Sequence, residues 1–387
     1  MESTESEFRN HDKNLSHDRV YYGDTSEVNS VGYADYNEYS QSNERKQGMK
    51  GFDEKYSDFV DYIMKITHNI WEEKGIGVIY DTYHNNVVMH TGTINIHGIN
   101  EVVSGTLQTL HAFPDRRLLG ENVVWSGNDQ EGFYSSHRIA SKATNLGDSS
   151  FGPSTGKKAF FRTIVDCFVH SNRIIEEWLI RDNLYIVQQL DLDPVEVAKQ
   201  LAKKTKNKKV SLQTRFGANE TMEGQYMPTA YIPKHDKFEI GDFILELYNH
   251  IWERRLFNKV KDFYMDHSTV HYICDKDLIG TQQIQGMLVS LFASFPNAKF
   301  IVERVTCNEL SDEKWDVAVR WRMMGLHEGI GYFGEPSGNH VEIPGISHLK
   351  VYNQKVVEEW ITFDGLDVLR QVHMDSEDDH FHSEESE

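Results

Sequence analysis

Two tryptophan–aspartate steps stand out among the residues able to do chemistry. The stretch "IIEEWLIRDNL" (174–184) carries Trp178 and Asp182, and "VVEEWITFDGL" (356–366) carries Trp360 and Asp364, the aspartate four residues after the indole each time. Both stretches are strand-like, and a strand turns successive side chains to opposite faces. Trp178, Ile180 and Asp182 therefore share a face, as do Trp360, Thr362 and Asp364. If that face is the concave one, each aspartate lies in an apolar cavity beside an indole. Desolvation then raises its pKa and makes it a better proton acceptor at neutral pH. A second reading has equal weight: both aspartates stand just before helix-like runs, "NLYIVQQL" and "GLDVLRQV", where an N-cap belongs.

Further candidates recur in pairs. His90 and His271 each end a strand-like run; facing a pocket, they could share a proton with an aspartate or orient a carbonyl, and facing the core they are satisfied histidines. Arg138 and Arg320 match each other on a long strand-like segment; inside a cavity an arginine holds an anionic oxygen, outside it is surface charge. No H-E-x-x-H, D-x-D-x-D-G, nucleophile elbow or G-x-G-x-x-G after a strand appears, so no metal and no cofactor is expected. Cys167, Cys274 and Cys307 are odd in number and far apart, which argues against a disulfide framework and for buried thiols in a reducing compartment.

The elements that would position these residues are written twice. "HNIWEEKGIGVIYDTY" from His68 answers to "NHIWERRLFNKVKDFY" from Asn249, and "VVMH" ending at His90 to "STVH" ending at His271, both at an offset of 181. "LHAFPD" answers to "LFASFPN", "FGPSTGK" (151–157) to "FGEPSGN" (333–339), and the two tryptophan stretches to each other at 182. Each copy opens with an apolar stripe of helical spacing, Phe59, Ile63, Ile66 and Ile70 in the first and Phe243, Leu247 and Ile251 in the second. A further helix follows, stopped by Pro114 or Pro296, then several β-rich segments, with "HSN" and "YNQ" as hairpin signals before the last strand. Helices followed by an antiparallel meander predict an α+β fold.

The 387 residues carry a formal charge of −20, which repels phosphate backbones and argues against nucleic-acid partners. No apolar run approaches the roughly 18 residues of a spanning helix, and the N-terminus lacks a signal-peptide core. The reading is a cytoplasmic protein without a membrane partner. Residues 1–52 are polar, tyrosine-rich and aperiodic, and are expected to be disordered or loosely draped on a domain; the functional unit is expected to begin near Met49. The other expected segments are a domain at 53–198, a linker at 199–237 that opens lysine-rich, a domain at 238–373 and an acidic tail at 374–387 holding His380 and His382.

The set in this order (helix pair, strand with histidine, "AFPD", the Pro-Ser/Thr-Gly loop, "EEW…D", closing helix) resembles the SnoaL-like polyketide cyclase (ester cyclase) family of the nuclear-transport-factor-2-like superfamily. The resemblance covers about residues 53–192 and 238–373. It implies two tandem cone-shaped α+β barrels, paired within the chain as single-domain relatives pair as homodimers. It also implies that the matching aspartates act as general acid/base on a carbon acid. His327 resembles the histidine of the family's T-H-T-G stretch, where the first copy has Asn145. On that count the second copy is the better site.

The leading expectation is a cofactor-independent enzyme moving a proton next to a carbonyl of a small, largely apolar substrate, in aldol-type cyclisation or isomerisation. Asp364 and Asp182 would be the acid/base groups, assisted by His327, His271 and His90, with Arg320, Arg138, Trp360, Trp178 and Asn145 around the substrate. The alternatives are a non-catalytic module binding a small ligand or a protein, and a hydrolase using a positioned water.

Overall fold

Asp58 starts the first long helix. Its carboxylate accepts the amide hydrogen of Asp61 at 2.8 Å, and Phe59, Ile63, Ile66 and Ile70 bury one stripe of α1 (Phe59–Trp71). The computed structural model describes residues 17–28, 31, 47–207, 227–311 and 313–374. The acidic tail with His380 and His382 lies outside the described residues, as do most of the leader and the middle of the linker.

Upstream of α1, Val20–Gly23 forms β1. After α1 come α2 (Gly77–Thr82), β2 (Tyr83–Thr91), β3 (Ile94–His97) and α3 (Ile99–Ala112). The meander is β4 (Arg117–Asn128), β5 (Gly132–Thr144), β6 (Lys158–His170) and β7 (Arg173–Arg181), closed by α4 (Asn183–Gln189) and α5 (Pro194–Asn207). The second half repeats this order with α6 (Ile240–Tyr248), α7 (Val260–Phe263), β8 (Tyr264–Tyr272), β9 (Lys276–Ile279), α8 (Thr281–Ser294), β10 (Lys299–Ser311), β11 (Lys314–Leu326), β12 (His340–Tyr352), β13 (Lys355–Phe363) and α9 (Gly365–Val372).

The two sheets have one topology. The first runs β3-β2-β7-β6-β5-β4; the second runs β9-β8-β13-β12-β11-β10 and adds β1 at its edge. The hairpins read as "HSN" and "YNQ" turn on Ser171 and Asn172 (φ 47° and 67°) and on Asn353 and Gln354 (φ 49° and 58°), the left-handed pairs that match strand twist. Register shifts between Gly120 and Asn122 and between Val302 and Arg304 fall at equivalent places, 182 residues apart, and bend the sheets into cones. The helices of each half cover the concave face. The other faces meet in a seam between the halves, where Ile164, Ile180 and Ile346 form a buried cluster.

The leader is partly ordered. Its strand β1 pairs in parallel with Val305–Asn308 of β10, so these residues drape on the second half. Gly23 permits the fit, because a Cβ there would stand 2.2 Å from the Trp125 carbonyl oxygen. Asn308 closes the same spot by accepting the Trp125 amide hydrogen at 2.9 Å and donating to its carbonyl at 2.7 Å. His17, His235, Glu239 and Asp242 gather beside this strand: His17 bonds Glu239 at 3.1 Å and His235 bonds Asp242 at 2.7 Å. Among the described residues no helix is long and apolar enough to cross a membrane.

Candidate functional site

Strand β7 decides which side chains meet the cavity. Side chains alternate, so one row is Glu177, Leu179 and Arg181 and the other Glu176, Trp178, Ile180 and Asp182. The structure turns the first row inward. A cavity of about 530 Å³ fills the first cone, bordered by Glu177, Leu179 and Arg181 of β7, Thr163, Val165 and Cys167 of β6, and His137 and Ile139 of β5. The strand pairing puts these side by side: Glu177 opposes Cys167, Leu179 opposes Val165, and Arg181 opposes Thr163, which in turn opposes Ile139. Ile63, Ile66 and Ile70 of α1 face them across the cavity. The volume suits a small organic ligand.

Glu177 is the chemically distinctive group. It is 3% exposed, and one oxygen accepts the Tyr83 hydroxyl hydrogen at 2.7 Å. Burial pushes its carboxyl up from 4.5 to about 7, against the opposing effect of the Tyr83 bond. Two strands away, burial and then the neighbouring Arg138 charge push His137 down to about 3, so it is a neutral imidazole. Its Nε2 has no protein partner among the described residues.

The second cone keeps the carboxylate and loses the space. Glu359 is fully buried and accepts the Tyr264 hydroxyl hydrogen at 2.6 Å; burial raises its carboxyl to about 7 as well. The row of Ile139, Thr163 and Arg181 becomes Trp321, Gly345 and Phe363 at the same register. Thr67 becomes Tyr248, and Gly105, Thr106 and Thr109 become Met287, Leu288 and Leu291. Trp321 packs against Trp252 at 5.7 Å and Phe300 at 5.2 Å. A Cβ on Gly345 would lie 2.2 Å from the Trp321 ring, so glycine is what admits the indole. The cone expected to be the better site is packed with aromatic side chains.

Apart from Asp364, the predicted residues lie elsewhere, because the tryptophans and arginines face the seam and not the concave face. Arg138 is fully buried, bonded to Glu121 at 2.9 Å, with its guanidinium carbon 3.4 Å from the centre of the Trp360 ring of the other half. Arg320 sits over Trp178 at 3.5 Å and bonds Glu303 at 3.0 Å. Each indole is also stacked by a histidine of its own half, Trp178 by His90 at 5.1 Å and Trp360 by His271 at 4.9 Å. His90 is held by Asn95 and Glu176, and His271 by Asp277 and Glu358. These six residues join the halves.

Asp182 and Asp364 are N-caps. Asp182 accepts the Tyr185 amide hydrogen at 3.1 Å and, across the seam, that of Cys274 at 2.6 Å; burial raises its carboxyl to about 6. Asp364 accepts from Leu366 and Asp367 at 3.0 and 3.2 Å and from the Asn183 side chain. Burial, then the adjacent Asp367, raises its carboxyl too. Asp364 also borders the cavity, but that of the first cone, whose end is closed by α9 of the second half.

His327 and Asp364 do not meet. His327 bonds Ser337 at 3.2 Å beside Asn339, whose side chain donates to the Gln371 and Val372 carbonyls at the far end of α9. Eight residues of helix, about 12 Å, separate the two. Asn145 locks the equivalent loop by donating to the Gly147 carbonyl and accepting the Thr155 amide hydrogen.

The family model for SnoaL-like polyketide cyclase matches residues 243–372. That match covers 130 of the 387 residues, all in the second half of the chain. The SnoaL-like match thus falls on the filled cone. Among solved structures, the chain is similar to a protein described as a SnoaL-like polyketide cyclase from a Jannaschia species, at 20% identity over 37% of this chain and 99% of that one, TM-score 0.32. A Bacillus cereus protein described as a polyketide cyclase matches at 21% identity over 35% of this chain and 82% of that one, TM-score 0.28. A Catenulispora acidiphila protein described as having a ketosteroid isomerase-like fold matches at 14% over 34% and 93%, TM-score 0.28. No curated relative matches the chain.

Proposed function

We propose that the chain is a tandem pair of SnoaL-like cones in which the first moves a proton next to a ligand carbonyl and the second supports it. The observation that carries this reading is Glu177, a buried carboxyl near pKa 7 on the wall of a ligand-sized cavity. A base poised near the working pH combines a useful ionised fraction with real basicity. Glu177 takes a proton from the carbon beside the carbonyl, and the electron pair of that C–H bond moves to the carbonyl oxygen. The neutral His137, two strands away on the same sheet, donates to that oxygen. Returning the proton to another carbon completes an isomerisation; attack of the enolate carbon on a second carbonyl breaks that C=O π bond, and its oxygen takes the proton back from Glu177 to complete an aldol-type closure. The apolar wall suits a largely apolar ligand. The seam between the halves takes the place of a homodimer interface.

One observation favours a second reading. The same glutamate–tyrosine pair persists in the filled cone as Glu359–Tyr264, which suits a structural role for the pair and a binding role for the first cavity.

The pH–rate profile of proton exchange separates the two. The probe is 2-tetralone in deuterated buffer, with exchange at its acidic carbon followed by NMR. The acid/base reading predicts a rate above buffer that rises with pH and levels off around an apparent pKa near 7. A rate equal to buffer at every pH removes it.

A further inference from the structure

The first cavity is bordered at its seam end by two arginines that the proposed proton transfer does not use, and the following inference rests on that reading of the cavity. Arg116 is 6% exposed. Its guanidinium lies 4.6 Å from the Trp71 ring centre and 5.4 Å from that of Phe161, and its hydrogen-bond partner is the Ser141 hydroxyl, at 3.0 and 3.2 Å. Arg181 projects inward from β7 and donates to the Asn183 side chain at 2.7 Å. Among the described residues no carboxylate stands within ion-pair distance of either. Asp364, whose field Arg181 feels, has its oxygens taken up by Asn183 and the α9 amides. Asp367 at the same end is paired with Arg370 at 2.7 Å.

A buried cation without a counter-ion is expensive. The strain is visible in Arg116, which burial and then the Arg181 charge push down to about 9. Glu72 and Asp364 act on these two cations only from beyond ion-pair distance, which leaves the cavity side of both guanidiniums open to a ligand's anion. The second cone makes the same point by contrast: the counterparts of Arg116 and Arg181 are Ala298 and Phe363, and the space is gone.

We propose that Arg116 and Arg181 form the subsite for a carboxylate carried by the ligand. Arginine presents paired N–H donors that match a carboxylate's two oxygens. Arg181 follows Glu177 by four residues of strand, about 13 Å between their Cα atoms. The ligand's carboxylate therefore sits at the seam end and its reactive carbon toward Glu177, on one elongated apolar body. Lys204 of α5 borders the same cavity and adds to the positive field.

The test is calorimetric titration of the full chain at pH 7 with 2-naphthoate and with its neutral isostere, 2-naphthamide. The wild type should bind the carboxylate about tenfold or more tighter, the scale of one charge-assisted contact. Arg116→Gln and Arg181→Gln should each cut that preference to about threefold or less, while Arg116→Lys keeps part of it. Arg181 is a separate probe should the Arg116 variant fail to fold, and naphthoate should raise the wild-type melting temperature more than naphthamide. Equal affinity for the two probes, an unchanged preference in both glutamine variants, or no binding of either probe overturns the subsite. Glu177→Gln should keep the preference. If it does while the wild type exchanges protons only at the buffer rate, the subsite stands and the acid/base reading alone falls.

Discussion

Replacing Glu177 by glutamine tests the energetic core of this account without reference to any substrate. The amide can still accept the Tyr83 hydroxyl hydrogen, so shape and hydrogen bond are kept and the ionisable proton is lost. In the folded protein the carboxyl is raised from 4.5 to about 7 by burial. That difference corresponds to about 3 kcal/mol against ionising in place. Because the folded value is the higher one, the unfolded chain loses its proton first as pH rises. Below about pH 4.5 both states are protonated and there is no penalty; between about pH 4.5 and 7 the wild type loses stability; above about pH 7 the whole penalty is present. The glutamine variant has no such loss. It should match the wild type within about 1 kcal/mol at pH 4.5 and exceed it by up to about 3 kcal/mol at pH 8.5. At roughly 2–4 °C per kcal/mol, that is about 6–12 °C in differential scanning calorimetry. Other buried carboxyls, Glu359, Asp182 and Asp364, titrate in both proteins and cancel in the difference. A variant that is less stable at pH 8.5, or a difference that does not change with pH, refutes the reasoning.

Three further outcomes follow from the geometry. Asp182→Ala and Asp364→Ala should each lower stability by about 1–2 kcal/mol through loss of an N-cap, while asparagine at either position recovers most of it in urea denaturation. Arg138→Ala removes one of two arginines bonded to Glu121 and the cation over Trp360; Arg162 still pairs with that carboxylate, so the loss should cost about 1.5–3 kcal/mol, read as a lower urea midpoint. Deleting residues 1–28 strips β1 from the edge of β10 and should lower the melting temperature by several degrees, contrary to the expectation that the functional unit begins near Met49; an unchanged melting curve would restore that expectation.

The fold was legible because it is written in periodicities that do not depend on which face is which. The stripe Phe59, Ile63, Ile66, Ile70, the turns at "HSN" and "YNQ", and the repeat spacing of 181 to 182 all reappear as elements at the expected places. The site was harder to read because a strand has period two, and choosing the wrong phase sends every side chain to the other face. The aspartate of "EEW…D" allows two readings, a concave-face carboxylate and a helix N-cap; both aspartates cap, both tryptophans face the seam, and Asp364 also borders the first cavity. The carboxylate in the cone is the residue beside the tryptophan, Glu177. A signal for it was present, since the glutamate and its tyrosine partner recur together, Tyr83 with Glu177 and Tyr264 with Glu359. The conclusion about which cone is open rests on Ile139 against Trp321 and Thr163 against Gly345. Both members of each pair are ordinary core residues, and only the packed structure shows that one indole fills a cone. The arginines followed the same logic: Arg138 and Arg320, matched in both halves, serve the seam common to both, whereas Arg116 and Arg181, matched in neither, border the cavity that the first half alone retains.

The central claim is that Glu177 of the open cone works while its twin in the filled cone does not, and exchange of 2-tetralone protons by paired variants tests it most directly. Glu177→Gln should drop the rate to that of buffer, and Glu359→Gln, measured at a temperature where it is fully folded, should exchange at the wild-type rate. Wild-type exchange by Glu177→Gln, or loss of exchange in Glu359→Gln alone, would contradict the account.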